Sequence, residues 1–212
     1  MNLTKRQKEI IDAALQLTAD GGIQNLTIKH VSGALGITEP ALYRHFKNKA
    51  EIVKVMIVNF EELADAAITD READGLCGIE TFVKSRFTLV AGNPPLAKVM
   101  FSEELFMDDE ECSALLLDMM HRHRGSLRRM FLNARKAGEI RGDIEVDMLF
   151  RLVLGPVRLL IKQWGMSKQA FDLVKEGNRL WNALCKTLKE NNPVSGFEQS
   201  TWKGNRHEKK SD

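Results

Sequence analysis

An all-α chain built in two helical parts is predicted by three observations. Strict apolar/polar alternation, the mark of half-buried strands, is nearly absent. Apolar residues recur instead at i, i+3 and i+4 along most of the 212 residues. Capping residues and glycines stand where such stretches begin and end. The expected organisation is a three-helix head over residues 1–50, a helical domain over 51–190 and a flexible tail over 191–212.

The first helix is expected over residues 4–20, where Thr4 and Gln7 form a capping box and Ile10, Ala13, Ala14 and Leu17 share one face. Thr27 caps the second, over 27–35, with Ile28, Val31 and Leu35 at helical spacing. Gly36 follows at once and supplies the left-handed residue that stops a helix sharply. Thr38 caps a third helix over 39–46, and Pro40 lies in its first turn, where a missing N–H costs little. Two short helices joined by about three residues are a helix-turn-helix by their punctuation. Ile10, Leu17, Ile28, Val31, Ile37, Leu42 and Phe46 are the expected core of the head. Asn48 and Glu51 form a second capping box, opening a helix over 48–69 that leaves the head and enters the second domain. Further helices are expected over 79–91, 95–106, 109–137, 145–164 and 168–190, separated by Gly75, Gly78, Gly92, Gly138, Gly142 and Gly165.

Charge gives the head a chemical character. Residues 1–50 carry seven Lys/Arg and four Asp/Glu, a net of +3, whereas the whole chain has a net of +2. A basic head on a near-neutral protein suits a polyanion. The third helix opens with Glu39, Pro40 and Ala41, small enough to approach base edges. There Ala41 is suited to a thymine methyl and Glu39 to a cytosine amino group. Tyr43, His45, Lys47 and Lys49 are donors suited to phosphates, which fix register without reading sequence. A second reading stands beside this one: the same spacing occurs in ordinary helical domains, and Glu39 also complements a helix dipole.

Residues 5 to about 52 resemble the DNA-binding domain of the TetR family of bacterial transcription regulators. The resemblance lies in Ala13–Ala14, Gly21–Gly22, Thr27, Val31 and Gly36–Ile37–Thr38. It continues through Leu42–Tyr43–Arg44–His45–Phe46 into Lys47, Asn48 and Lys49. It implies that the helix opening at Glu39 enters the major groove, presenting Glu39, Pro40 and Ala41. It also implies that Tyr43, His45 and Lys49, with Arg44 beside them, lie along phosphates, and that the caps Thr27 and Thr38 touch the backbone too. Two departures are Ser32, where the family usually has alanine, and Gly33 inside the second helix, which costs about 1 kcal/mol relative to alanine. Glu39 is unusual at a groove-facing position.

The helix over 145–164 is apolar on two sides, with Leu149, Leu152, Val153, Leu159 and Leu160 in one set and Phe150, Leu154, Val157, Ile161 and Trp164 in the other. A helix apolar on two sides is buried on two sides. The second set, with Trp181 and Leu184 from the last helix, is the expected homodimer interface. The alternative is a helix wholly inside one monomer. Four-helix dimers are also what the resemblance implies, and a dimer would set two recognition helices about 34 Å apart on a near-palindromic double-stranded DNA operator. Between head and interface, residues 79–131 are rich in Met and Phe. Phe82, Met100, Phe101 and Met120 are expected to line a pocket, with Arg86 or His121 orienting a small apolar effector. Plain core packing is the other reading of the same residues.

Several classes are excluded at this stage. The acids from Glu103 to Glu111 precede His121 and His123, but histidines two apart lie on different helix faces, so no metal site is expected. No nucleophile elbow or phosphate loop occurs, so neither an enzyme nor a cofactor is expected. Arg151 and Arg158 interrupt the best apolar run, and residues 1–11 lack an apolar signal region, so a cytoplasmic protein without a membrane partner is expected. The predicted function is a dimeric repressor released from DNA by an effector. The alternative is an architectural or cell-cycle DNA-binding protein on the same scaffold that needs no effector.

Overall fold

The computed structural model describes residues 3–68, 72–99 and 109–189. Every regular element among them is helical: α1 (Lys5–Gly21), a 3₁₀ turn (Ile23–Asn25), α2 (Ile28–Ala34), α3 (Glu39–Tyr43), α4 (Lys49–Ala66), α5 (Gly75–Gly92), α6 (Leu96–Val99), α7 (Glu110–Lys136), α8 (Val146–Met166) and α9 (Leu173–Lys189). Met100, Phe101, Phe106, Met107 and the tail over 191–212 lie outside the described residues.

In the head, the Thr4–Gln7 capping box forms with both of its bonds. Ile10, Ile11, Ala14 and Leu15 of α1 pack with Ile23, Leu26, Val31, Leu42 and Phe46 into one core. Leu17, Ile28 and Ile37 are half-buried at its rim. Ser32 is buried and its hydroxyl donates to the Lys29 carbonyl at 3.0 Å, so the polar atom is matched within its own helix.

The expected boundary at residue 50 falls inside α4, which runs unbroken from the head into the second domain. There α4 packs on α7, with Lys54 paired to Glu111 and the buried Cys112 thiol 3.7 Å from the Ala50 carbonyl. The four-residue α6 touches α1 of the head on one side and α8 on the other. Ala97 lies so close to Gly165 that a Cβ added there would come within 2.9 Å of it.

Helix α5 begins four residues earlier than expected. Asp74 caps it, accepting from the Gly75 amide at 2.8 Å, and the Glu139 carboxylate accepts from the Leu76 amide at 2.8 Å. Gly75 has φ of 58°, a left-handed conformation that favours glycine, and a Cβ there would push on the Glu139 carboxylate at 2.5 Å. The last helix starts at Leu173 rather than at residue 168, because Lys168 and Gln169 take left-handed conformations that end α8.

Helix α9 crosses α5 where Gly177 faces Phe87. A Cβ at 177 would stand 2.3 Å from the Phe87 ring, which is 1% exposed and has nowhere to swing. Alanine gains about 1 kcal/mol of helix propensity over glycine, against an overpacking penalty of about 1–3 kcal/mol. Gly177→Ala is therefore expected to lower stability by up to about 2 kcal/mol, read as a fall in the urea midpoint at unchanged slope.

Candidate functional site

The helix-turn-helix is built by its caps. The Thr27 hydroxyl accepts from the His30 amide at 3.0 Å and that of Thr38 from the Ala41 amide at 3.4 Å. Between them Gly36 (φ 62°) ends α2: the Gly36 amide donates to the Gly33 carbonyl and the Ile37 amide to the Ser32 carbonyl. These are the two bonds of a Schellman stop, and they fix the angle at which α3 leaves.

Helix α3 is shorter than expected. It closes at Tyr43, and residues 44–46 continue as a turn in which the His45 and Phe46 amides both donate to the Leu42 carbonyl. Leu42 and Phe46 are buried, which turns Glu39, Pro40, Tyr43 and Arg44 outward and leaves Ala41 half-buried. Tyr43 is 49% exposed, a large ring at the surface. His45 is half-buried, and its carbonyl accepts from Gln7 Nε2 at 3.5 Å. The Lys49 ammonium donates to the Ile23 carbonyl at 3.3 Å, tying the start of α4 to the 3₁₀ turn. The capping box expected from Asn48 and Glu51 is half formed. Asn48 accepts from the Glu51 amide at 2.8 Å, but the Glu51 carboxylate reaches one residue further back, to the Lys47 amide.

In the second domain the residues expected to line one pocket separate. Phe82 and Arg86 are buried on α5, whereas Met120 and His121 face solvent on α7. A helix turns about 100° per residue, so the histidine that points inward is His123, two positions on. Arg86 carries its guanidinium 4.2 Å over the Phe82 ring, and His123 meets the same ring edge-on at 5.9 Å. Burial pushes the Arg86 guanidinium down to about 10, against the attraction of Asp65. Burial first, and then the positive Arg86, hold the His123 imidazole below its ordinary range. Beside them Arg122 of α7 bonds the Glu61 carboxylate of α4 through Nε and Nη2, each at 2.8 Å. That bond lowers the Glu61 carboxyl below its usual range. His123 went unselected in the sequence. The signal that points here is Arg86 itself, a cation standing in the apolar stripe of Ile79, Phe82, Val83 and Val90.

The expected dimer residues also divide. Val157, Ile161, Trp164 and Trp181 are all buried within the chain's own core, and the Trp164 indole donates to the Phe171 carbonyl at 2.8 Å. Phe150, Leu154 and Leu184 are half-buried at its edge. The apolar face that α8 leaves open is instead Met148, Leu152, Leu159 and Met166, each more than 40% exposed. A groove between α8 and α9 adjoins it, lined by Pro156, Leu159, Leu160, Gln163 and Leu180 together with the charged Glu176 and Arg179. The inward stripe of α8 starts at Val146 and is neither expected set: it takes Leu149 and Val153 from the first and Val157, Ile161 and Trp164 from the second.

Known proteins share this architecture over most of its length. The model of the bacterial regulatory proteins of the tetR family matches residues 10–56, and that of the YsiA-like protein C-terminal region matches residues 46–187. A fatty acid metabolism regulator protein of Bacillus subtilis is 24% identical over 186 residues, covering 85% of this chain and 95% of its own. The nucleoid occlusion factor SlmA of Photobacterium profundum is 25% identical over 190 residues, covering 87% of this chain and 96% of its own. A crystal structure of the transcriptional regulator FadR from Bacillus subtilis in complex with stearoyl-CoA superposes with a TM-score of 0.69 at 23% identity, covering 85% of this chain and 98% of that one. With both family models matched end to end over a capped helix-turn-helix and the helical domain behind it, the chain belongs to the TetR family of bacterial transcriptional regulators.

Proposed function

We propose that the chain acts as a dimeric repressor that holds a near-palindromic operator and lets it go when a small, largely apolar effector enters the second domain. The observation that carries this reading is the outward face of α3, with Tyr43 and Arg44 exposed beside Glu39 and Pro40 while Leu42 and Phe46 anchor it. In this reading Glu39, Pro40 and Ala41 approach base edges. Thr27, Thr38, Tyr43, Arg44, His45 and Lys49 lie along phosphates. Residues 1–50 act as the reading head and 51–190 as the effector and dimerisation domain. The stearoyl-CoA in the Bacillus subtilis FadR crystal supports an effector with a long apolar body. The effector is bound and released without turnover, and the protein works in the cytoplasm.

Binding measured against operator and random duplexes over a range of salt tests this assignment. Tyr43→Phe and Lys49→Ala are expected to weaken both duplexes alike, by roughly fivefold to tenfold. Loss of the lysine should also reduce the salt slope by about 1. Ala41→Ser and Glu39→Gln are expected to change which sequence is preferred. Unchanged preference in both would remove their base-reading role.

The resemblance to SlmA favours a second reading, in which the same scaffold occupies many dispersed sites and acts through another protein. A genome-wide binding map separates the two: a few promoter-linked sites belong to a repressor, and sites spread along the chromosome to the alternative.

A further inference from the structure

Among the described residues, the interior of the second domain holds a cation without a hydrogen-bond partner. Arg86 is 5% exposed, and among the described residues none of its Nε, Nη1 and Nη2 atoms has a hydrogen-bond partner. A guanidinium keeps its charge at neutral pH, so this group cannot escape burial by losing a proton. The Phe82 face attracts the charge from 4.2 Å, but an aromatic face offers nothing to the N–H donors that point outward in the guanidinium plane. Across the same ring, His123 Nε2 on α7 is also buried and without a partner among the described residues. Among the described residues, the nearby acids Glu61 and Asp65 do not answer either group. Glu61 is engaged by Arg122, and Asp65 is exposed and acts on Arg86 only through space. Two unmatched polar groups from facing helices, held against one ring, are an unusual concentration, because buried donors are almost always satisfied.

We propose that Arg86 and His123 form a head-group subsite for an anionic oxygen group, a carboxylate or a phosphate ester, carried at the end of an apolar ligand. This rests on the effector reading above and gives the effector a charge. The anion accepts paired N–H bonds from the guanidinium in its plane and a further bond from the imidazole. The Phe82 ring stays on the guanidinium face. The site also has a route outward. Arg122, next to His123, holds Glu61 of α4, and an incoming anion competes with Glu61 for that cation. Because α4 continues into the head, loosening that bridge alters how the head is held.

The test uses the full-length protein with three probes of one chain length, dodecanoate, dodecyl phosphate and dodecanol, each below its micellar concentration. Binding is read by calorimetry and by melting temperature, for wild type, Arg86→Met, Arg86→Lys and His123→Gln. At least one anionic probe is expected to bind wild type more tightly than dodecanol. Arg86→Met should weaken that probe by roughly 30-fold or more while leaving dodecanol unchanged, and Arg86→Lys should keep part of the affinity. Without ligand, Arg86→Met is expected to melt above wild type, because an uncompensated cation has gone from the interior. A markedly lower melting point would mean that Arg86 is satisfied from within and would overturn the subsite. So would anions that bind no better than dodecanol or ignore Arg86→Met; dodecanol binding that releases operator would then leave the effector reading standing. Anions that bind through Arg86 without releasing operator would support the subsite and sink the effector reading. Failure of every probe to bind would overturn both.

Discussion

Replacing Leu152 and Leu159 together by glutamate is expected to yield a folded monomer whose operator affinity is lower by roughly 100- to 10,000-fold. The two side chains are 43% and 56% exposed, so their loss removes little from the chain's own core. Surface changes of this kind usually move stability by about 0.5 kcal/mol or less. With Met148 and Met166 they form one open apolar strip along α8, beside the groove against α9. Soluble monomers seldom leave so continuous a strip uncovered. A second copy laid on it by a twofold axis would cover it and set two heads on one duplex. The fall in affinity comes from losing the second attachment, with no change in either head. Sedimentation mass and operator titration on the same preparation check it; a dimer with wild-type affinity would place the interface elsewhere.

Trp181→Ala is expected to act through a different route, lowering stability by about 3–5 kcal/mol. The indole is 1% exposed and is among the largest fully buried side chains. It lies on α9, which packs against both α5 and α8. Neighbours fixed by Gly177 against Phe87 are poorly able to collapse into the space it leaves. For a domain of this size the melting temperature should fall by roughly 10 °C. The contrast with the leucine pair is diagnostic. An interface tryptophan would make stability depend on protein concentration, whereas a core tryptophan lowers it equally at every concentration.

The head was readable because its signals are local. Thr4, Thr27, Thr38 and Asn48 cap helices through amides three residues away, and Gly36 needs only its own φ and two neighbouring carbonyls. The second domain was harder because its decisive contacts join residues distant in sequence. Gly75 and Gly78 look alike as helix breakers, yet α5 begins at the first and runs through the second. Gly78 is small because Ala73 and Met130 leave no room for a Cβ, a fact of packing that sequence spacing does not carry. The stripe of α8 that α5, α7 and α9 bury takes members of both expected apolar sets, a division that spacing alone does not carry, so Val157, Ile161, Trp164 and Trp181 were expected at a surface they do not reach. Likewise Arg86 and His123 become neighbours only when α5 and α7 pack in register.

The unbroken run of α4 through residue 50, braced by α6 against α1, leaves the head without a tether. In the dimer proposed above, the distance and the angular phase between the two heads are then built into the protein. Each added base pair turns the far half-site by roughly 35° around the duplex axis. A head on a flexible strap would follow that rotation; a head on a stiff stem cannot. Such a protein measures its operator as a ruler does, and the number of base pairs between half-sites discriminates as strongly as their identity.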